Sequence, residues 1–263
     1  DFFGELRARV RARYGPQVHL LGQVGAAGDQ SPRDLPAQDN EELDFWGESG
    51  MIEIARRLER AVEEGYEAAR GRIERGPVFR HRTVALALPV RRAGLEERDR
   101  ARAQIERLTA GYPDVAAALR DTFARFVENV HNGEKSKRRG PFDDKELEFV
   151  QLENARAVVR RFEEQDAAPV YPVELRALRV GECAIVTNPF ELYLDYGQTI
   201  QARSRARQTF LVQLAGDIGG YLPTARAIAA GGYGSLIING RVGAEGGAIL
   251  VNESVKAIER LWD

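Results

Sequence analysis

The chain is poor in the residues that would make its chemistry obvious. It has one cysteine, Cys183, in 263 residues, so neither an internal disulfide framework nor a zinc site built on clustered thiolates is available. Its three histidines, His19, His81 and His131, stand apart, with no HxH or HExxH spacing. Each therefore reads as a structural histidine rather than half of a metal pair. No apolar run approaches the roughly 20 residues that a membrane span needs. Lysine is almost missing: Lys135, Lys137, Lys145 and Lys256 are the only ones, and arginine carries the rest of the positive charge. The net charge is −2, which gives no reason to expect a nucleic-acid or polyanion partner. Gly22, Gly25 and Gly28 are three apart, not GxGxxG, and no GK[ST] follows, which weakens a nucleotide reading. No GxSxG elbow surrounds Ser31 either, which weakens an ordinary serine hydrolase.

What is present is an ordinary globular composition, 43% hydrophobic and 30% charged, in a length that needs no more than one large domain or one domain with an insertion. Phe3, Leu6 and Val10 recur at helical spacing until Gly15-Pro16 stops the helix. Val18 to Val24 is an apolar run that predicts a buried strand, and residues 33–44 predict a polar, acidic loop. Met51, Ile54, Leu58 and Val62 make one stripe of a helix from about Trp46 to Arg70. Phe79 to Arg92 alternates as a strand, placed at a sheet edge by Pro89.

Residues 94–167 read as a charged helical insertion covering a sheet. It is broken at the solvated basic run Lys135-Ser136-Lys137-Arg138-Arg139-Gly140 and resumes with Leu147, Val150, Ala157, Val158 and Phe162 inward. Val173–Val180 and Cys183–Thr187 predict two strands joined by a Gly181-Glu182 hairpin. Phe190 to Ala202 predicts a helix, Gln208 to Leu214 a strand, Tyr221-Leu222-Pro223-Thr224 the start of a short helix, and Gly243 to Trp262 a closing helix. The fold class expected is α/β in the mixed, α+β sense: a sheet core with a helical insertion.

Chemistry concentrates at strand ends. Gly25-Ala26-Ala27-Gly28-Asp29-Gln30-Ser31-Pro32 is a turn of small residues that lets the backbone approach something closely. It holds a carboxylate, Asp29, and a hydroxyl, Ser31, on a frame stiffened by Pro32. Asp29 capping its own turn is the plainer account. Glu191 falls in the first turn of the helix expected after Asn188-Pro189, where a carboxylate is favoured by the helix dipole whatever its role. Tyr221 follows a Gly-Gly pair, where an aromatic is usually packing.

Three separated stretches, taken in order, resemble the neutral/alkaline, non-lysosomal ceramidase family. Gly28-Asp29-Gln30-Ser31-Pro32 looks like its GDxSP turn. Val180-Gly181 through Pro189-Phe190-Glu191 to Gly197 is similar to its strand–hairpin–strand and PxE segment. Gly220-Tyr221-Leu222-Pro223-Thr224, with Tyr233 and Ser235, resembles its GYxTT segment and the tyrosine that follows. The likeness is to bacterial ceramidase-like proteins of undefined substrate. It implies that residues 1–263 are the C-terminal portion of one catalytic domain of a zinc amidohydrolase, which cleaves the N-acyl amide bond of ceramide or a related lipid.

By the resemblance, zinc would be held by Glu191, Tyr221 and two histidines upstream of Asp1. Ser31 would face the metal, Tyr233 would polarise the scissile carbonyl, and Gly28 and Asp29 would support the turn. Whether water or Ser31 attacks first stays open. The chain by itself is therefore expected to bind zinc weakly and to be inactive. The immunoglobulin-like domain of larger members has no counterpart in these residues, and Ile228 replaces an aromatic of a lipid-facing helix, a departure that bears on ceramide itself. Partners implied are a small N-acyl amide or lipid, with no nucleic acid. Members of the family are often exported, but the compartment and the oligomeric state are left open. The alternative of another class is a catalytically silent α/β binding or structural module.

Overall fold

A computed structural model describes residues 1–31, 47–135 and 148–263. Pro32, the loop 33–44, Trp46, the basic run from Ser136 to Gly140, Lys145 and Leu147 lie outside the described residues.

Helices α1 (Phe2–Tyr14) and α2 (Glu48–Ala69) form the first layer. Asp1 caps α1, its carboxylate accepting from the N–H groups of Phe3 and Gly4, and Gly15, at φ 102°, ends it. Leu6 and Val10 meet Ala55, Leu58 and Val62 in a small core of their own.

The stretch Val18–Val24 is not the buried strand that its composition predicts. It has no regular secondary structure and joins no ladder, and Leu21 is 81% exposed. Val18 and Leu20 pack into the helical pair instead, and Gly22 lies against the Phe3 ring. Sheet-like contact is confined to its end, where the Gln213 N–H donates to the Val24 carbonyl at 3.0 Å.

The central sheet has the order β1–β2–β3–β5, from β1 (Phe79–Pro89), β2 (Val170–Val180), β3 (Cys183–Thr187) and β5 (Gln208–Val212). β1 and β2 pair antiparallel from Phe79↔Val180 to Pro89↔Val170, so β1 is an edge strand, as Pro89 requires. β2 and β3 form the Gly181-Glu182 hairpin, and β3 to β5 is parallel. Between β3 and β5 lie a second short strand, β4 (Phe190–Leu192), and helix α6 (Leu194–Arg203). β4 pairs in parallel with β6 (Gly220–Leu222), and α7 (Ala225–Ala230) follows. Then come 3-10 turns at Tyr233–Ser235 and Ile237–Asn239, and the closing helix α8 (Ala244–Glu259). The architecture is mixed α+β.

The core is one face of this sheet. Leu88, Leu175, Ala177, Ala184 and Val186 point inward on alternate positions and meet Leu250, Val251 and Ile258 of α8. Each large side chain so buried contributes about 1.5–3 kcal/mol. The helical insertion, α3 (Leu95–Thr109), α4 (Val115–Lys135) and α5 (Glu148–Glu164), does not fill that role. It closes on its own small core of Leu108, Ala118 and Leu152, and α5 leans on the Ile237–Asn239 turn. The sheet cover is α8, whose composition is the more apolar. Among the described residues no helix is long and apolar enough to cross a membrane.

Candidate functional site

The glycine turn, β4, β6 and the Tyr233–Ser235 turn converge at one place. Glu191 is where the local reading of the sequence fails. It lies on a strand and not in a helical first turn, because tertiary ties override the helix propensity of Phe190–Ala202. The Asn188 carboxamide oxygen accepts from the Phe190 N–H at 3.0 Å. The Pro189 carbonyl takes the Gly219 N–H at 2.8 Å. Phe190 and Leu192 are both fully buried, Phe190 with its ring 5.9 Å from that of Tyr171. With both neighbours inward on a pleated backbone, the side chain of Glu191 must leave on the opposite face. The helix begins only at Leu194.

The parallel register sets Glu191 opposite Tyr221, and so Tyr221, too, sits on a strand rather than opening a helix. Thr224 is the residue that starts α7, its hydroxyl oxygen accepting from the Ala227 N–H at 3.2 Å. The Tyr221 phenol lies against the Glu191 carboxylate. Burial, then the proximity of the Glu191 carboxylate and its negative charge, push the phenol up to about 12. The Tyr233 ring meets the Tyr221 ring edge-on, centroids 5.7 Å apart, while Tyr233 itself is 71% exposed, at the mouth. The Asn239 amide donates to the Tyr233 carbonyl at 2.6 Å and fixes that turn.

The glycine turn is stitched to β4 from below. The Gly28 N–H donates to the Leu192 carbonyl at 2.8 Å. The buried Gln213 carboxamide oxygen accepts from both Ala27 N–H and Leu192 N–H, each at 3.1 Å. A Cβ on Gly28 would stand 2.2 Å from the Glu191 carbonyl oxygen; this is the close approach that the small residues provide. Asp29 does not cap its own turn. Its carboxylate accepts from the Leu194 N–H at 2.8 Å, and so caps α6, whose N-cap residue Tyr193 offers no side-chain bond. Ser31 is exposed two residues further on and makes no hydrogen bond to the described residues. The fold thus brings Gly28, Asp29, Glu191, Tyr221 and Tyr233 together, while no hydrogen bond to the described residues ties Ser31 to them.

Three contributors escape sequence reasoning. Tyr193 is buried, its phenol pushed up by burial and then by the Asp29 charge. Its hydroxyl and the Tyr221 ring both lie where a Cβ on Gly234 would fall, at 2.6 and 2.9 Å. Gln213 and Asn239 act through backbone groups. Tyr193 could have been found by extending strand alternation from Glu191; the two amides carry no sequence signal.

The Glu191 carboxylate and Tyr221 phenol are hard oxygen donors placed opposite each other on β4 and β6, a donor type that suits a divalent cation. His81 is on an exposed stretch of β1, its ring nitrogen 3.4 Å from the Thr83 hydroxyl. Among the described residues no group of three His, Cys, Asp or Glu side chains could hold a metal ion. Comparison with known proteins finds no match to this chain: no family model, no curated protein and no solved structure.

Proposed function

We propose that the chain carries part of the active site of a zinc-dependent amidohydrolase acting on an N-acyl amide, ceramide or a related lipid. The observation that carries the reading is the convergence of three remote segments, with the Glu191 carboxylate held against the Tyr221 phenol at their centre and the Gly28–Asp29 turn bonded beside them. Glu191 and Tyr221 would be two of the ligands, and the reading requires two nitrogen ligands from outside the described residues. When bound, the ion supplies Lewis acidity and a water of lowered pKa, which amide hydrolysis needs.

The chain's own groups have separable tasks. Glu191 and Tyr221 stand opposite each other at the centre, where they would hold the ion. Tyr233, exposed at the mouth with its ring braced on Tyr221, can donate its O–H to a carbonyl oxygen. Asp29, by fixing the start of α6, sets the distance between the turn and β4.

The test is fatty-acid release from N-dodecanoyl amides, a sphingoid and an amino-acid conjugate, by the whole protein as encoded, loaded with zinc. Glu191→Ala and Tyr221→Phe are each expected to lower the rate at least about 100-fold, in the range that removal of a metal ligand or its partner costs. Activity that survives both substitutions refutes the reading. A zinc-loaded protein that hydrolyses neither conjugate leaves the silent binding module.

A further inference from the structure

A second cleft, of about 440 Å³, lies behind the turn that presents Tyr233, between α3 and α5 of the insertion and the segment from α7 to Ile238. Its size is that of a small-molecule site. One part of its wall is aliphatic, with Ile228, Leu236 and Val158; the other carries Arg91, Arg100 and Asn154.

Arg91 is half-buried, and its guanidinium donates to the Ser235 carbonyl at 2.6 Å. Arg161, packed behind it, donates to the carbonyls of Arg91 at 3.3 Å and Gly240 at 3.2 Å. Neither has a carboxylate paired with it among the described residues. Glu97 also lines the cleft, but one of its oxygens accepts from the Gly94 N–H at 2.9 Å, capping α3. Two half-buried guanidinium groups thus stand together, bonded to neutral carbonyls, with the Glu97 and Glu164 carboxylates acting on them only through space; partial burial of like charges is an arrangement that a bound anion would stabilise.

We propose that this cleft binds a monocarboxylate with an apolar tail, the carboxylate on Arg91 and the tail along Ile228 and Leu236, with Arg100 at the mouth already engaged by the Glu96 carboxylate at 3.7 Å. The assignment goes beyond the amidase reading and does not depend on it. Two further facts agree. Burial lowers the Arg91 pKa, with Glu97 opposing only through space. Burial, then the positive charges of Arg241 and Arg91, lower that of Arg161, with Glu164 opposing through space. A bound carboxylate relieves both. Arginine suits the ligand because its planar fork matches a carboxylate in two-point contact. The same turn that bonds to Arg91 carries Tyr233, so occupancy here touches the wall of the candidate active site.

Titration calorimetry of the whole protein with octanoate, octan-1-ol and butanoate tests it. Octanoate should bind with one-to-one stoichiometry, at least about tenfold tighter than either of the others, a ratio that calorimetry resolves readily. Octan-1-ol binding as tightly would remove the role of the charge, and butanoate binding as tightly would remove that of the tail; either overturns the proposal, as does no saturable binding of octanoate. Arg91→Gln should cost at least about tenfold in octanoate affinity and Arg91→Lys less, since a point charge keeps the attraction but not the two-point contact. Should Arg91→Gln fail to fold, Ile228→Trp narrows the cleft from α7 without touching the arginines. It should abolish binding at an unchanged melting temperature, and undiminished octanoate binding by that folded variant overturns the proposal.

Discussion

Replacing Gly28 by alanine probes the convergence on which the candidate site rests, because the clash it creates is with the backbone of the residue that matters. The new Cβ would stand 2.2 Å from the Glu191 carbonyl oxygen and 2.6 Å from its carbon, where ordinary contact begins at 3.4 Å. Relief needs more than 1 Å of movement by the turn or by β4, and neither is a flexible side-chain end. Overpacking of this kind costs about 1–3 kcal/mol. Retreat of the turn also strains the Gly28–Leu192 hydrogen bond, worth about 1 kcal/mol. The sum is a destabilisation of about 2–4 kcal/mol. Gly25→Ala is the matched control: three residues earlier in the same turn, its Cβ would meet nothing closer than 3.9 Å. There the loss of chain entropy in the unfolded state should leave stability unchanged or raise it by up to about 1 kcal/mol. Urea unfolding of the two variants beside the parent decides the matter. Equal midpoints for Gly28→Ala and Gly25→Ala would mean that the turn does not lie against β4, and the shared site would go with it.

The buried amide of Gln213 gives an independent reading of the same junction. Gln213→Leu strands the N–H groups of Ala27 and Leu192 and should cost about 2–4 kcal/mol in urea unfolding, whereas Gln213→Glu keeps an acceptor for both and should cost clearly less; a leucine variant as stable as the glutamate variant counts against the bridge. The phenols of Tyr171 and Tyr196 are each pushed up to about 12, Tyr171 by burial and then its hydrogen bond to Asp217, Tyr196 by burial and then the Asp195 charge. In the unfolded chain they ionise near 10 and in the folded one near 12, so the stability they confer is full below about pH 10 and falls as pH rises toward 12. Thermal unfolding across that window should show the fall, shallower in Tyr171→Phe, and a flat profile would contradict the assignment.

The sheet was the legible part of the fold. Strict alternation with an apolar face marks β2 and β3, and the positive φ of Gly181 at 58° sits where a Gly-Glu hairpin needs it. Val18–Val24 is equally apolar yet forms no strand, because apolarity does not say which layer will take the side chains. Here Val18 and Leu20 go to the α1–α2 pair and the backbone is left without a ladder. The insertion was legible as helices but not as to what it covers, since its charged faces accept a solvated position as readily as a sheet. At the site, the residue types of Glu191, Tyr221 and Tyr233 could be singled out by resemblance, but their approach to one another could not. It depends on β4 being a strand, and three residues are too few to register as a period.

That same brevity explains why the site is built from backbone ties. A parallel pair of three residues each has little laddering to hold its register, and an isolated short pair of strands is marginal in water. The register is supplied from outside: by the full burial of Phe190, Leu192 and Leu222 on one face, by Asn188 and Gly219 at the start, and by Gln213 and Gly28 along the flank. A slip of one residue would turn Glu191 into the core and Leu192 to the surface, and would bury an uncompensated carboxylate. The carboxylate and the phenol therefore meet because a one-residue slip puts a charge where Leu192 or Phe190 now lies, while the ties of Asn188, Gly219, Gln213 and Gly28 hold the register against longer slips, and the specificity of the site is a consequence of the core beneath it.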